Sequence, residues 1–397
     1  MNHFVSKKQV SELPPQAIPE FPERFCARWI TSTCELESMI QRWNDLIDQS
    51  ISRNSSFEPE FLIPALSHLN DCDAKCLVVE ENSGGSNERL LGLLPIVENR
   101  VYGLPLKSVV GWKHDQCFDS TPLIHRDCRS QVFSTMFEFL AEQGYGLLKL
   151  DTMSAEPEIA DPFNEAIKQP GRSLFVADAF ERAAFRPAEN AEQYMLDNLS
   201  KNLRKKAKQR LKRLEKLGEV VYELHDPQSD FSVLAQQFLD LEQSSWKGKN
   251  GTALASQPHN KRFFLDCVER LAQSGKAKFI SLKLDGKPIA MVLNIKSGLH
   301  IFAFKTAFDE SMSKFSPGVL IEIHGLERMH DEGIVFADSC TVPDNATMNR
   351  IWGQKAKFQS IVVGLHKGAP TVATKSLPWM QALVRNFRNL KTRIRPE

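Results

Sequence analysis

Two stretches of this 397-residue chain carry residue types and spacings suited to holding anions. The first runs from 201 to 216. Lys201, Arg204, Lys205, Lys206, Lys208, Arg210, Lys212, Arg213 and Lys216 stand there against the single acid Glu215. That leaves the segment at +8 in a chain whose net charge is +1. Leu196, Leu199, Leu203, Ala207, Leu211 and Leu214 give an apolar stripe at spacings of three and four, so the segment should dock with its bases outward. Arg204, Lys205 and Lys208 are its candidate anion ligands. The charge suits a cofactor phosphate, a tRNA backbone or anionic lipid. The plain structural alternative is a solubilising face whose long stems cover the edge of a core. The second stretch is Ser316-Pro317-Gly318, at the start of a helix predicted over Pro317 to His330. Ser316 can cap, and Pro317 fits the first helical position, where an N–H has no partner to lose. Gly318 lets a ligand approach the backbone, and the free N–H groups of a helix start attract anions. Lys314 lies just upstream. The alternative is simply a well-capped helix.

Other chemistries have little support. The cysteines are Cys26, Cys34, Cys72, Cys76, Cys117, Cys128, Cys267 and Cys340, too sparse for a disulfide scaffold, and buried free thiols are expected. Cys72 and Cys76 lack a second close pair to complete a metal site, so no metal is expected. Cys340 follows Asp338 without a histidine nearby in sequence. His324 and His330 are six apart and fall on different helix faces. There is no phosphate-loop or dinucleotide glycine fingerprint. With 50 bases against 49 acids, the whole surface is not built to grip nucleic acid. No apolar run is long enough to span a membrane and no signal peptide is visible, so a cytoplasmic location is expected.

The elements that must position these groups are mixed. In the first half, Arg28 to Ser32 predicts a strand and Glu35 to Leu46 a helix; Pro59 to Leu69 predicts another helix. Strands follow over Lys75 to Glu80, Leu90 to Val97 and Leu106 to Trp112. Gln131 to Gln143 predicts a helix, with strands over Gly146 to Leu150 and Ser173 to Phe180. The second half opens with one long helix, Ala191 to Leu217, stopped by Gly218. A strand over Val220 to Leu224, a helix over Phe231 to Gln243, a loop from Trp246 to Pro258 and a helix over His259 to Ala272 come next. The Asp285-Gly286 and Ser297-Gly298 turns predict an antiparallel meander of Ala277 to Leu284, Pro288 to Ile295 and Leu299 to Lys305. Ile334 to Asp338 and Phe358 to Val363 complete the strands, with a short helix over Ala346 to Trp352 between them. The two halves follow a similar order without sequence repetition. The expected organisation is a loose arm over 1–20, one α/β unit over 21–187, a second over 188–370 and a basic tail over 371–397.

An ordered set of motifs runs from Asn202 to Trp352. It comprises Asn202-Leu203-Arg204-Lys205-Lys206, Leu241-Glu242-Gln243-Ser244-Ser245-Trp246-Lys247-Gly248, Gly251-Thr252-Ala253, Gly286-Lys287-Pro288-Ile289-Ala290, Phe304-Lys305-Thr306-Ala307-Phe308-Asp309-Glu310, Ser316-Pro317-Gly318, Asp338 and Asn349-Arg350-Ile351-Trp352. This set resembles the CelD/BcsL-like acyltransferases, a branch of the GNAT superfamily associated with cellulose and other exopolysaccharide biosynthesis. The match covers about 190 to 360, and the upstream half is compatible with the tandem layout of FemAB-type transferases. The resemblance implies an α/β fold (mixed-sheet α+β) of two GNAT-like units, each a central mixed sheet flanked by helices. It implies transfer of an acyl group, acetyl above all, from acyl-CoA to an amine of a small molecule or amino sugar. It further implies that the strand ending in Phe304 and Lys305 offers backbone to the pantetheine arm. The helix start at Lys314, Ser316, Pro317 and Gly318 would receive the pyrophosphate. Here Lys314-Phe315-Ser316-Pro317-Gly318-Val319 departs from the superfamily's Arg/Gln-x-x-Gly-x-Gly/Ala loop and lacks its second glycine. An acyl carrier protein or an aminoacyl-tRNA therefore stays open as donor, as does a non-catalytic scaffold of polysaccharide assembly.

For acyl transfer to an amine, the amine must be neutral, the oxyanion stabilised and the leaving thiolate supported. Asp309 is the candidate base or amine anchor, although an ordinary carboxylate needs burial to act as one. Lys305 could support the oxyanion, bind an acidic acceptor or pair with Asp309. Glu242, Trp246 and Lys247 are candidates to line the acceptor cleft. Asp338 sits where strand ends meet ligands, and Arg350 and Trp352 could close the pocket. Structural roles stand beside each: turn acid, lid anchor, cap or core. The sequence does not fix the oligomeric state.

Overall fold

The turns do what their residue types ask. Asp285 and Gly286 both take positive φ, 49° and 75°, so the chain reverses in two residues between Leu284 and Lys287, which are paired. Gly298, at φ 58°, turns the next hairpin, in which Ser297 pairs with His300. The computed structural model describes residues 25–81, 88–225 and 228–379. The expected arm over 1–20 and the expected tail from 380 onward lie outside the described residues, while the first part of that tail, 371–379, is helical.

Thirteen strands form one sheet among the described residues. They are β1 (Phe25–Ile30), β2 (Lys75–Glu81), β3 (Arg89–Glu98), β4 (Ser108–Gly111), β5 (Leu123–Ile124), β6 (Leu147–Ser154), β7 (Ser173–Phe185), β8 (Val220–Leu224), β9 (Ala277–Leu284), β10 (Lys287–Ser297), β11 (His300–Phe308), β12 (Phe336–Asp338) and β13 (Gln354–Gly364). Their spatial order is β1-β2-β3-β4-β6-β13-β7-β12-β11-β10-β9-β8, with β5 pairing off the path onto β3. The order is symmetric about its centre. On each side an antiparallel run leads to one parallel pair, β4 with β6 and β11 with β12. The two central strands are exchanged. β13, last in the chain, lies against β6, while β7 lies against β12. β7 and β13 themselves pair antiparallel from Ser173 to Ala184. The mixed α/β architecture expected from the motif order is thus present as two mirrored sets of strands sharing one sheet.

Helices cover both faces. On one face the Pro59–His68 helix of the first half packs on the Pro258–Gln273 helix of the second. Their aromatic rings interlock with one from β11: Phe61 lies 5.1 Å from Phe263 and 5.4 Å from Phe304 of β11, centroid to centroid. On the other face the Lys201–Leu214 and Pro317–Asp331 helices cover the β8–β11 meander through Ala207, Leu214, Leu320 and Ile321.

Several local expectations need correction. The helix expected over Ala191 to Leu217 is two helices, Ala191–Asn198 and Lys201–Leu214. Ser200 separates them by accepting the Leu203 N–H at 3.2 Å, a cap that begins a new helix. The helix over Glu35 to Leu46 also breaks, at Met39. The loop over Trp246 to Pro258 contains a one-turn helix, Trp246–Lys249. Of the eight free cysteines, Cys76, Cys117, Cys267 and Cys340 are buried, but Cys26, Cys34 and Cys72 are exposed.

Candidate active site

β11 is built to part from β12. They pair only at His300, Ile301 and Phe302, opposite Phe336, Ala337 and Asp338. β11 then runs on to Phe308 while β12 stops, and Ser339 gives its N–H to Ala183 of β7. β11 is also irregular here. Leu293 of β10 pairs with Lys305, and the next residue, Asn294, pairs with Ala303, leaving Phe304 as the extra residue of a bulge. The bulge puts two successive side chains on one face: Phe304 packs on Phe263 and Phe264, and the Lys305 ammonium lies 5.2 Å from the Phe304 ring centroid and 5.7 Å from that of Phe118.

Burial and the nearby Lys247 charge push the Lys305 ammonium down to about 8. Glu242, Asp115 and Cys340 also face it and oppose that shift. Burial, reinforced by the Lys305 charge, pushes His114 down to about 4 and leaves it neutral at pH 7. His114 in turn lines a cavity of about 460 Å³ whose wall includes His68, Asp71, Trp112, Lys113 and His259. His114 thus links the Lys305 charge to this cavity.

Glu242 sits behind Lys305, fully buried. Its carboxylate accepts from Lys247 Nζ and from the Leu254 N–H, both at 2.8 Å. Gly248 is forced, because a Cβ there would lie 1.8 Å from the Gln243 carbonyl oxygen. Ser245 caps the same turn by accepting the Lys247 N–H, and Glu310 accepts the Trp246 N–H at 2.7 Å and pairs with Lys249. The Glu242-to-Gly248 motif is thus a braced turn. Trp246 projects from it, half exposed, so its core alternative is excluded.

Asp338 is committed to Arg182. Its two carboxylate oxygens take Nε and Nη2 at 2.7 and 2.6 Å, and it also accepts the Cys340 N–H. Both side chains are buried. Arg182 Nη1 donates to the Phe118 carbonyl oxygen at 2.6 Å, and the guanidinium lies 4.0 Å over the Phe358 ring. This pair ties β7, β12 and the first-half loop together immediately behind Lys305. Burial pushes the neighbouring Asp119 up to about 6, against the opposing Arg182 charge.

The remaining expected residues are more dispersed. Asp309 accepts the Ser311 N–H at 2.9 Å and so caps the Glu310–Phe315 turn; no Lys305–Asp309 ion pair occurs among the described residues. Ser316 takes φ 52° and ψ 57°, and its side chain makes no cap, contrary to expectation. Its carbonyl instead accepts the N–H groups of Val319 and Leu320. Pro317 is buried, while a Cβ on Gly318 would lie 3.3 Å from the Phe308 ring, so packing against β11 already accounts for a small residue. Lys314 is exposed, its ammonium 5.0 Å from the Phe315 ring. Arg350 is exposed and donates to the Ala346 carbonyl oxygen. Trp352 is fully buried in a separate cluster with Phe185, Tyr194 and Ile351, which makes it core and not a pocket wall. Arg204 Nε donates to the Leu199 carbonyl oxygen, pinning the break before its helix, whereas Lys205 and Lys208 are exposed.

Sequence reasoning missed His114, Asp115, Phe118, Arg182 and Glu322. Glu322 had a visible mark: it occupies the apolar stripe Phe315, Val319, Leu326, Met329 at helical spacing. It is buried, accepts from Thr306 Oγ1 at 3.0 Å, and is pushed up to about 7 by that burial. The others are joined to Lys305 only by tertiary contact.

Residues 201–344 match the family model described as an acetyltransferase (GNAT) domain. That span holds the bulge, Lys305, Glu242 and Asp338. Most of the chain shares its fold with solved structures at low identity. A structure titled as FemX aligns at TM-score 0.54 and 10% identity, over 84% of this chain and 96% of that one. The C-terminal DUF2156 domain of a putative lysylphosphatidylglycerol synthetase from Agrobacterium fabrum aligns at 0.53 and 12%, over 89% and 97%. A conserved protein of unknown function from Bacteroides thetaiotaomicron aligns at 0.51 and 11%, over 85% and 99%. No curated protein matches the chain. The 201–344 span thus resembles an acetyltransferase (GNAT) domain, set in a fold shared with FemX.

Proposed function

We propose that the protein is an N-acyltransferase that moves an acyl group, acetyl above all, from acyl-CoA to an amine of a small molecule or sugar. The observation that carries this reading is the opening of β11 from β12 at a bulge that sets Phe304 and Lys305 side by side, with His114, which feels the Lys305 charge, lining the adjoining cavity. The pantetheine arm would lie along the unpaired edge of β11, as a strand lies beside a strand. The phosphates would reach Lys314 and the helix start at Ser316, Pro317 and Gly318. The acceptor would enter through the cavity beside His114.

In this scheme the amine nitrogen attacks the thioester carbonyl, and charge grows on its oxygen. The Lys305 ammonium, still cationic at pH 7, stabilises that oxyanion. Oxyanion charge beside Lys305 also raises the basicity of neutral His114, which takes the proton of the attacking amine. The C–S bond breaks as the carbonyl reforms, and the proton passes to the leaving thiolate. Glu242 and Lys247 hold the acceptor wall, with Trp246 as its exposed lip. Arg182 and Asp338 hold the floor. The motif resemblance to CelD/BcsL-like proteins supports an amino sugar of polysaccharide assembly as acceptor, with the units 21–187 and 188–370 acting together in the cytoplasm.

The missing Ser316 cap and the ring against Gly318 favour a second reading, in which a carrier protein or aminoacyl-tRNA is the donor, or the protein binds without turnover. Calorimetry with CoA and acetyl-CoA, followed by an amine panel, separates them. Micromolar acetyl-CoA binding, with turnover lost in Lys305→Met and binding retained, is the expected result. No binding at millimolar CoA and no transfer would overturn the acyl-CoA reading.

A further inference from the structure

Among the described residues, the nine bases of the 201–216 segment have no acidic partners. None of them forms an ion pair among the described residues. The contrast with the neighbouring strands is sharp: Lys276 pairs with Glu58, Lys278 and Lys296 with Glu332, and Lys283 with Glu223. The helix buries Leu203, Ala207 and Leu214 and turns Lys201, Lys205, Lys206, Lys208, Lys212 and Arg213 to solvent. At fourteen residues it spans roughly 20 Å. A surface that long, uniformly cationic and unneutralised, favours a partner that is itself extended and anionic.

Apolar surface accompanies the charge. Leu196, just before the helix, is 48% exposed, and Leu217, just after it, is 52% exposed. A groove of about 460 Å³ runs between this helix and the Pro317–Asp331 helix. Leu196, Leu199, Leu211, Leu320 and Ile323 line it, with Arg204 and Lys208 on one rim. Its acids, Glu192 and Glu327, come from the neighbouring helices, and Glu327 lies 3.4 Å from His324. Bases on an exposed helix face, leucines beyond both ends and an apolar groove below match the boundary between phosphate headgroups and acyl chains. A single-stranded nucleic acid would instead call for exposed aromatic rings on which bases stack; the aromatic in this groove, Tyr222, is only partly exposed and already stacks on His324.

We propose that this face docks the protein on an anionic phospholipid surface, with the bases on headgroup phosphates and the leucines in the acyl boundary. The test is co-sedimentation of the full chain with vesicles of phosphatidylcholine alone or with 30% phosphatidylglycerol, in ~0.1 M salt. Binding only to the anionic vesicles is expected. Neutralising Lys206, Lys212, Arg213 and Lys216 to Gln should lower the partition coefficient by at least ~100-fold. Leu196→Ser with Leu217→Ser should lower it about tenfold at unchanged charge. Circular dichroism and the urea midpoint check that both variants fold. The basic tail is present in every variant, so vesicle binding unaffected by the four neutralisations would overturn the proposal. So would a failure of anionic vesicles to bind, or binding to duplex RNA as tight as to vesicles with no effect of the leucine changes.

Discussion

The two parallel strand pairs of the sheet begin alike and end differently. In the first half β4 pairs with β6 only through Val110, and the chain then turns back into the gap it leaves. Ser120 donates its N–H to the Thr152 carbonyl at 2.8 Å, Ser120 Oγ accepts the Thr152 N–H at 3.1 Å, and Thr121 Oγ1 accepts that of Ser154 at 2.7 Å. The edge of β6 is thereby satisfied from within. In the second half β11 pairs with β12 only through Phe302, but no returning segment bonds to the rest of β11 among the described residues. The same local geometry gives a sealed joint in one half and an open strand edge in the other. The fold alone does not confer a site. The proposed site depends on which joint is left open, and the loop that seals the first joint also brings His114 and Phe118 toward the second.

The comparison can be broken most severely at Arg182, which anchors the shared floor. Arg182→Met leaves Asp338 buried and unpaired, and should cost about 3–5 kcal/mol in urea unfolding. Adding Asp338→Leu should recover much of that loss, because both desolvated charges are then gone. The open joint is tested at Lys305. Lys305→Met should reduce kcat at least ~100-fold, an effect of the size of a lost oxyanion contact. The same change should stabilise the protein by about 1 kcal/mol at pH 7. The folded chain releases the Lys305 proton near 8, whereas the unfolded chain keeps it to about 10.5. The buried cation therefore weakens the fold below pH 8, and the stabilisation by methionine should fade as pH rises from 8 to 10.5.

The sealed joint gives a smaller effect of a different kind. Ser120→Ala with Thr121→Val should lower stability by about 1–2 kcal/mol and leave kcat within threefold, because the lost hydrogen bonds are structural. Turnover collapsing in that variant at retained stability would show that the first joint is also part of the site. Glu322→Gln should add about 1 kcal/mol at pH 8. The folded chain keeps this proton to about 7 and the unfolded chain loses it near 4.5, so stability declines as pH rises across that window and stays lower above it. The variant should flatten that decline. Asp309→Asn should be mildest, under ~0.5 kcal/mol, since asparagine also caps a turn. A kcat loss tenfold or greater with an intact fold would restore Asp309 to the chemistry.

Much of the architecture could be read directly from residue spacing. The meander of β9, β10 and β11 followed from two short turns whose glycines and aspartate favour positive φ, and helix positions followed from apolar residues three and four apart. These are local interactions between residues near in sequence. The same logic overran at Ser200, where a good cap inside an amphipathic stretch starts a new helix. Site residues divided along the same line. Lys305 and Glu242 fell in recognisable motifs. Glu322 was missed, although a lone carboxylate in an apolar stripe marks it. Trp352, quoted in the same motif set, proved to be core.

The sequence by itself determined the order of strands and helices, the basic face of the 201–216 segment and the strand that ends in Phe304 and Lys305, because each depends on neighbours within about a dozen residues. Only the tertiary structure decided that β13 crosses to β6 and β7 to β12, and that Arg182 meets Asp338 across 156 residues. Only it set the low basicity of Lys305 and His114 and the high pKa of Glu322. Those shifts come from desolvation, and desolvation depends on distant segments that exclude water from the same point in space.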